Sequence, residues 1–295
     1  MLDEVEFTAR QLVHDGEVPG YLPGPARQGF GFAVATVDGA VHGVGDCHTE
    51  VSVQSVSKVF ALVAVLARQD RDLWRRVGRE PSGSPFNSLV QLEHERGVPR
   101  NPFINAGALV VTDELLTLTG DASASVLDLL RLCGEHDALS VDEEVVASEI
   151  EHGARTAAMA HLMASFGNLR HPVDEVLAHY FRQCSVTMSC VQLARAGLLL
   201  ARHGVLGDGT RLLGHRPAKR VNAIMLTCGT YDAAGEFTYR VGLPGKSGVG
   251  GAILAIAPGR GAVCAWSPRL DRQGNSIAAV AALDVFTTLT GWSVC

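Results

Sequence analysis

Lysine is nearly missing from this 295-residue chain: Lys58, Lys219 and Lys246 stand against 22 arginines among 25 basic residues. Where lysine survives such a bias, the position can call for an amine that loses its proton, which a guanidinium does not do. Basic runs are missing too. None exceeds a pair such as Arg75 and Arg76, and the formal charge is −6, which excludes a nucleic-acid binder built on a basic surface. The opening MLDEVEFTAR has neither the basic start nor the apolar stretch of a secretory leader. There is no run of about 20 uncharged apolar residues. Residues 185–205 contain Arg195 and Arg202, and the tail 277–295 contains Asp284, so no membrane span is expected. The seven cysteines are odd in number and form no C-x-x-C pair, which favours free thiols in a reducing cytoplasm. With no H-E-x-x-H and no Cys/His zinc spacing, no metal is expected, and the eleven histidines read as surface or hydrogen-bonded residues.

The composition is that of a globular chain with ample core: 47% hydrophobic, 19% charged, mean hydropathy +0.16. Its length suits one large domain, or two lobes sharing a core. Apolar Val5, Phe7, Leu12 and Val13 predict a first helix over residues 2–14. The stretch 31–46 has two β-branched runs joined by Asp38 and Gly39, a hairpin signal. Helical periodicity then dominates residues 55–212, with pieces at 56–69, 106–118, 124–133, 173–181 and 188–203. Past residue 226, the words EFTYRVGLP, VGGAILAIAP and GAVCAWSP read as short strands split by Gly and Pro, and 276–289 as a last helix. Strands at both ends with helices between predict an α/β (α+β) fold. One antiparallel sheet draws on both chain ends, with a helical lobe (55–214) inserted into a sheet lobe (1–54 and 215–295).

Two of the lysines sit in chemically suggestive words. Ser55 and Lys58 are spaced i, i+3, which at a helix start puts both on one face. A serine hydroxyl needs a neighbour to take its proton. A lysine serves if burial lowers its pKa, and VFALVAVLA directly after Lys58 supplies an apolar wall. The bland alternative is a helix cap with a surface lysine. Lys246 lies in PGKSGVGG between β-rich runs. A phosphate-binding loop needs glycine where Arg240 stands, so that reading fails. A K-S-G strand paired with S-x-x-K on a helix is the signature of the serine β-lactamase and penicillin-binding fold.

The words QSVSK (54–58), NPFINAGA (101–108), CGTYD (228–232), VGLPGKSGV (241–249), WSP (266–268) and GNS (274–276) sharpen this. Over residues 21–283, the chain resembles the serine-dependent L-glutaminase family, which has the β-lactamase-like fold. The resemblance implies hydrolysis of L-glutamine to glutamate and ammonia through a γ-glutamyl-serine, without metal or organic cofactor, by a cytoplasmic homodimer or homotetramer. It implies Ser55 as nucleophile, Lys58 as its base and Tyr231 as proton shuttle. The amides of Ser55 and Val249 would hold the oxyanion. Asn105 would bind the substrate's backbone end, Glu149 its ammonium, with Tyr180 beside them and Tyr21 on a covering loop. Apart from the resemblance, single tyrosines are more often core or rim residues, and Glu149 belongs by composition to a solvated acidic face. Two rivals stand beside this reading: a hydrolase of the same fold with another amide substrate, and a glutamine-binding protein with weakened catalysis.

Thr156 departs from the family pattern, which has asparagine there. Threonine is shorter and offers one hydroxyl in place of an amide donor to the substrate carboxylate. A hydrogen bond to a charged group contributes about 1.5–3 kcal/mol, so the prediction is a raised KM, or drift toward a related substrate. Steady-state kinetics of Thr156→Asn check it: KM for glutamine is expected to fall by about tenfold or more, and an unchanged KM removes the idea.

Overall fold

The computed structural model describes residues 1–20, 28–69, 71–83 and 88–295. Tyr21 lies outside them. The first helix, α1 (Leu2–Arg10), is shorter than its periodicity suggested and buries Val5 and Ala9. The hairpin forms as read, β1 (Gly31–Thr36) pairing antiparallel with β2 (Val41–Gly45). Strand β3 (Val51–Ser52) then leads through a 3-10 turn at Gln54–Val56 into α2 (Ser57–Leu66), every residue of which is buried. The helical stretch continues with α3 (Leu89–His94), α4 (Asn105–Thr119), α5 (Ala122–Gly134), α6 (Glu143–His152), α7 (Ala154–Ser165) and α8 (Val173–Cys184). Strand β4 (Thr187–Met188) pairs with β3, tying the end of this stretch to the entry of α2. Helix α9 (Cys190–Ala201) opens with a Ser189/Gln192 capping box, and α10 (His215–Cys228) follows.

One expectation fails next. EFTYRVGLP is mostly helix: α11 (Ala234–Val241) precedes β5 (Gly245–Ser247). Phe237 and Val241, four apart, are buried while Tyr239 faces solvent. This is a helical stripe that packs against the closing helix and overrides the β-propensity of Phe, Thr, Tyr and Val. Strands β6 (Ala252–Ala257) and β7 (Gly261–Trp266) and the Ser276-capped α12 (Ile277–Thr290) end the chain as read.

The sheet is antiparallel throughout, in the order β2-β1-β7-β6-β5, so its strands do come from the two chain ends. Its pleat divides the core. Ala33, Ala35, Leu254, Ile256, Ala262 and Cys264 face the central helices, α9 first among them. Phe32, Val34, Ile253, Ala255, Val263 and Ala265 face α1, α11 and α12. Alternation with both faces buried explains why β6 and β7 read as continuous apolar runs. Among the described residues, no helix is long and apolar enough to cross a membrane.

A buried ionic cluster sets how α4 and α8 lie relative to each other. Asp113 and Glu114 on α4 are fully buried. Arg76 pairs with both, at 2.6 Å to Glu114, and Arg170 adds a bond to Glu114 at 2.9 Å. His171, just before α8, donates its backbone N–H to Asp113 at 2.9 Å. Burial pushes the Asp113 carboxyl up, but the bonds from Arg76 and His171 outweigh it and hold it below the usual range. Removing one partner strands a buried charge at a cost of about 3–5 kcal/mol. Arg76→Met is therefore expected to lower unfolding stability by about that amount at pH 7, read from urea midpoints. The sign in acid follows from the depressed pKa. The wild-type contribution is present above the unfolded carboxyl's pKa and is lost as pH falls through the folded one.

Candidate active site

Ser55 and Lys58 come together because a 3-10 turn runs straight into α2: Ser55 is its middle residue and Lys58 the second of the helix. Ser55 is 8% exposed and on the wall of a cavity of about 370 Å³; Lys58 is 1% exposed, sealed behind it. The bland reading of Lys58 as a surface residue therefore fails. Its Nζ donates to Asn105 Oδ1 at 2.6 Å and Phe103 O at 3.4 Å and lies 5.7 Å from the Tyr180 ring centre. Burial lowers its pKa to about 8, although the Cys184 and Glu149 groups pull the other way. An amine poised there can take a proton near neutral pH.

Asn105 is the first residue of α4, and the preceding loop holds it in place. Asn101 Oδ1 accepts from the backbone of Phe103 and Ile104 at 3.0 and 3.1 Å. Gly107, one turn on, admits this close crossing, since a Cβ there would lie 1.8 Å from Asn101 O. Asn105 Nδ2 donates to Thr156 Oγ1 at 3.4 Å, so the residue that departs from the family pattern touches the one meant to bind the substrate's backbone end.

Val249 reaches the cavity through glycine. It sits in the turn between β5 and β6. A Cβ on Gly248 would lie 2.8 Å from Val53 O and 3.2 Å from Ser55 N, and one on Gly250 would lie 2.4 Å from Ser52 O. Only bare backbone lets this turn press against the segment that carries Ser55.

Tyr231 follows α10 in a 3-10 turn with φ +61°, a strained conformation for an aromatic residue. Its hydroxyl donates to Ser247 O at 3.2 Å, and Lys246 Nζ lies 4.3 Å from its ring centre. Lys246 is fully buried and donates to the same carbonyl at 2.6 Å. Burial, reinforced by the charge of Lys58, holds its amine well below the usual range. Tyr180 on α8 is buried, and desolvation pushes its hydroxyl well above the ordinary value.

Glu149 does not sit on a solvated face. It is half-buried on the cavity wall, where burial raises its carboxyl pKa against a hydrogen bond from Gln54 and the charge of Lys58. Of the nominated residues, Ser55, Asn105, Glu149, Thr156, Tyr180 and Val249 line one cavity. Lys58 and Tyr231 are buried and are not part of its lining. Sequence reasoning gave no role to Gln54, His152, Gly153 and Arg155, which complete the lining, nor to Lys246 beyond its motif. Gln54 directly precedes Ser55 and opens the 3-10 turn with a φ of +46°, a conformation that no local sequence pattern announces.

A charged Lys58 opposes folding at neutral pH. Lowering its pKa from 10.5 to about 8 corresponds to about 3 kcal/mol, partly offset in a variant by two acceptors left without their donor. Lys58→Met is thus expected to be more stable than wild type at pH 7 by about 1–2 kcal/mol, measured by urea unfolding. The gap should narrow as pH rises from about 8 toward 10.5, where the folded amine is already neutral and the unfolded one still charged.

Comparison with known proteins finds similar chains. The family model described as Glutaminase matches residues 16–295. A glutaminase of Streptomyces coelicolor is 60% identical over 297 residues, covering 100% of this chain and 97% of that protein. Among solved structures, the probable glutaminase ybaS superposes with a TM-score of 0.91 at 31% identity, covering 100% of this chain and 99% of that one. Mglu in its glutamate form gives 0.91 at 34% identity, covering 100% of this chain and 69% of the other.

Proposed function

The chain belongs to the glutaminase family, and from that premise we propose that it hydrolyses L-glutamine to L-glutamate and ammonia through an ester on Ser55 Oγ. The observation that carries the serine mechanism is Lys58, a buried amine with its pKa lowered to about 8, one helical turn from a serine on the cavity wall. Neutral Lys58 takes the Ser55 proton as Oγ attacks the side-chain amide carbon. The N–H groups of Ser55 and Val249 receive the oxyanion, an arrangement supported by the glycine turn pressed against Ser55 N. Tyr231 relays the proton from Lys58 to the departing nitrogen, with Lys246 against its ring. Ammonia leaves, and water attacks the ester while giving a proton to neutral Lys58, which returns one to Ser55 Oγ as glutamate is released. No step calls on a metal or organic cofactor.

Glu149 meets the substrate ammonium, while Asn105, Thr156 and Tyr180 surround its backbone end, a reading supported by their shared cavity. Tyr21, which the resemblance assigns to the same site, lies outside the described residues. The framework is read as β-lactamase-like: a single catalytic domain with a sheet lobe over 1–54 and 215–295 and a helical lobe over 55–214. The strand order, with both chain ends in one sheet, supports it. The enzyme is further read as a cytoplasmic homodimer or homotetramer; its seven free thiols, six of them buried, suit a reducing compartment.

Ammonia and glutamate release from glutamine, with asparagine as comparison, tests the proposal. Wild type is expected to be glutamine-selective, and Ser55→Ala to lose at least about a thousandfold in kcat. Because the base acts when neutral, kcat/KM should climb as pH rises through about 8 and then level. Full activity in Ser55→Ala overturns the serine mechanism.

A further inference from the structure

We propose that Asn275 is a positioning residue for Tyr231: the loop 270–276 holds the peptide plane from which Tyr231 turns, and so sets the rate of the chemical step from outside the cavity. The inference rests on the proposed part of Tyr231 in proton transfer and deepens it. Tyr231 is a non-glycine residue at φ +61°, and such a conformation persists only where its surroundings over-determine it. Its φ is the rotation between its Cα and the peptide plane that carries the Thr230 carbonyl. Whatever fixes that carbonyl therefore fixes where the ring and its hydroxyl are aimed. Asn275, 2% exposed, donates Nδ2–H to Thr230 O at 3.4 Å. The neighbouring Gly274 brings the loop against the ring, since a Cβ there would lie 3.9 Å from Tyr231 Cε2 and 3.8 Å from Val249 Cγ1. Asn275 is not among the residues lining the cavity, so its action passes through Tyr231.

The loop is closed on itself and anchored at both ends. The Asp271 carboxylate accepts from the backbone of Gln273 and Asn275, both at 2.9 Å, and the Asp271 N–H donates to Asn275 O at 2.8 Å. The Gly274 N–H donates to Asp271 O at 3.1 Å, with Gly274 at φ +87°, where a side chain would be strained. At one end, Leu270 exchanges backbone bonds with Glu17 at 2.9 and 3.0 Å. At the other, Ser276 caps α12. The remaining ties come from the sheet side. The Tyr231 hydroxyl bonds Ser247 O at 3.2 Å, and the Ser247 N–H bonds Gly229 O at 3.3 Å. These hold the two extremes of the turn. The Ala233 N–H also bonds Thr230 O, at 3.2 Å, but it lies within the turn and moves with it. Asn275 ties the plane between the two extremes to a separate, closed loop.

A double-mutant cycle with glutamine as substrate tests this. Asn275→Ala should lose about ten- to a hundredfold in kcat and keep KM within about twofold, since a small misplacement of a proton-transfer group slows chemistry and leaves binding alone. Tyr231→Phe should lose at least about a hundredfold in kcat. In the Tyr231→Phe background, Asn275→Ala should cost less than about twofold more, because the hydroxyl it positions is gone. A general structural loss would instead multiply through the cycle, and that result overturns the proposal, as does an unchanged kcat in either single variant. If Asn275→Ala does not fold, Asn275→Asp carries the same cycle: it keeps the shape and sets a carboxylate against Thr230 O. If wild type does not hydrolyse glutamine, the glutaminase reading fails on its own account. Crystal structures of wild type and Asn275→Asp then still read the positioning. Tyr231 moved away from its positive φ supports it, and Tyr231 unmoved, with its hydroxyl still on Ser247 O, overturns it.

Discussion

A lysine amine kept almost dry is the constraint on which the rest of the site depends. Lys58 can be buried only if its donors find acceptors, and Asn105 Oδ1 and the Phe103 carbonyl are those acceptors. Both come from the segment that opens α4, so the helix must begin where the Asn101 turn and the crossing at Gly107 put it. The apolar run of α2 excludes water from one side, and Tyr180 and Cys184 close the other. The outcome is an amine held near its point of proton exchange, at a cost in stability that the large core around it offsets.

That arrangement extends outward through rigid elements. Helices α4 and α8 each contribute a residue to the cavity, Asn105 and Tyr180, and the charges on Asp113 and Glu114 fix how the two helices lie against each other. From the sheet side, β5 delivers Lys246 and the glycine turn delivers Val249, while the strained turn after α10 delivers Tyr231. Strain gathers around the nucleophile: Gln54 and Tyr231, both non-glycine residues at positive φ, are parts of the frame that surrounds Ser55. The surrounding packing holds these conformations, which neither residue would adopt in a short peptide.

Much of this was legible in the chain itself, for reasons that can be named. The hairpin, β6, β7 and the closing helix had strong local signals: an Asp-Gly turn, β-branched runs bounded by Gly and Pro, and a serine cap. The S-x-x-K spacing put a nucleophile and a base on one turn, and the near-absence of other lysines made Lys58 and Lys246 conspicuous. The stretch 236–244 was misread because Phe, Thr, Tyr and Val favour strands locally. The deciding fact, burial of Phe237 and Val241 against α12, is a contact between distant parts of the chain. Glu149 was ambiguous for a similar reason. An acid among acids looks solvated until the fold turns one face of α6 toward Ser55.

The sequence by itself determined the chemical types available and their local spacing: the serine and lysine one turn apart, the glycines that admit close backbone approach, and the alternation that builds a sheet buried on both faces. These follow from covalent neighbours and from patterns that span a few residues. Only the tertiary structure decided that Lys58 is dry, that Tyr231 sits beneath a second buried amine, and that Arg155 shares a cavity with Glu149. Burial, pKa and the meeting of charges depend on what other segments bring to the same place, and residues from 54 to 249 must be gathered before any of them takes a value.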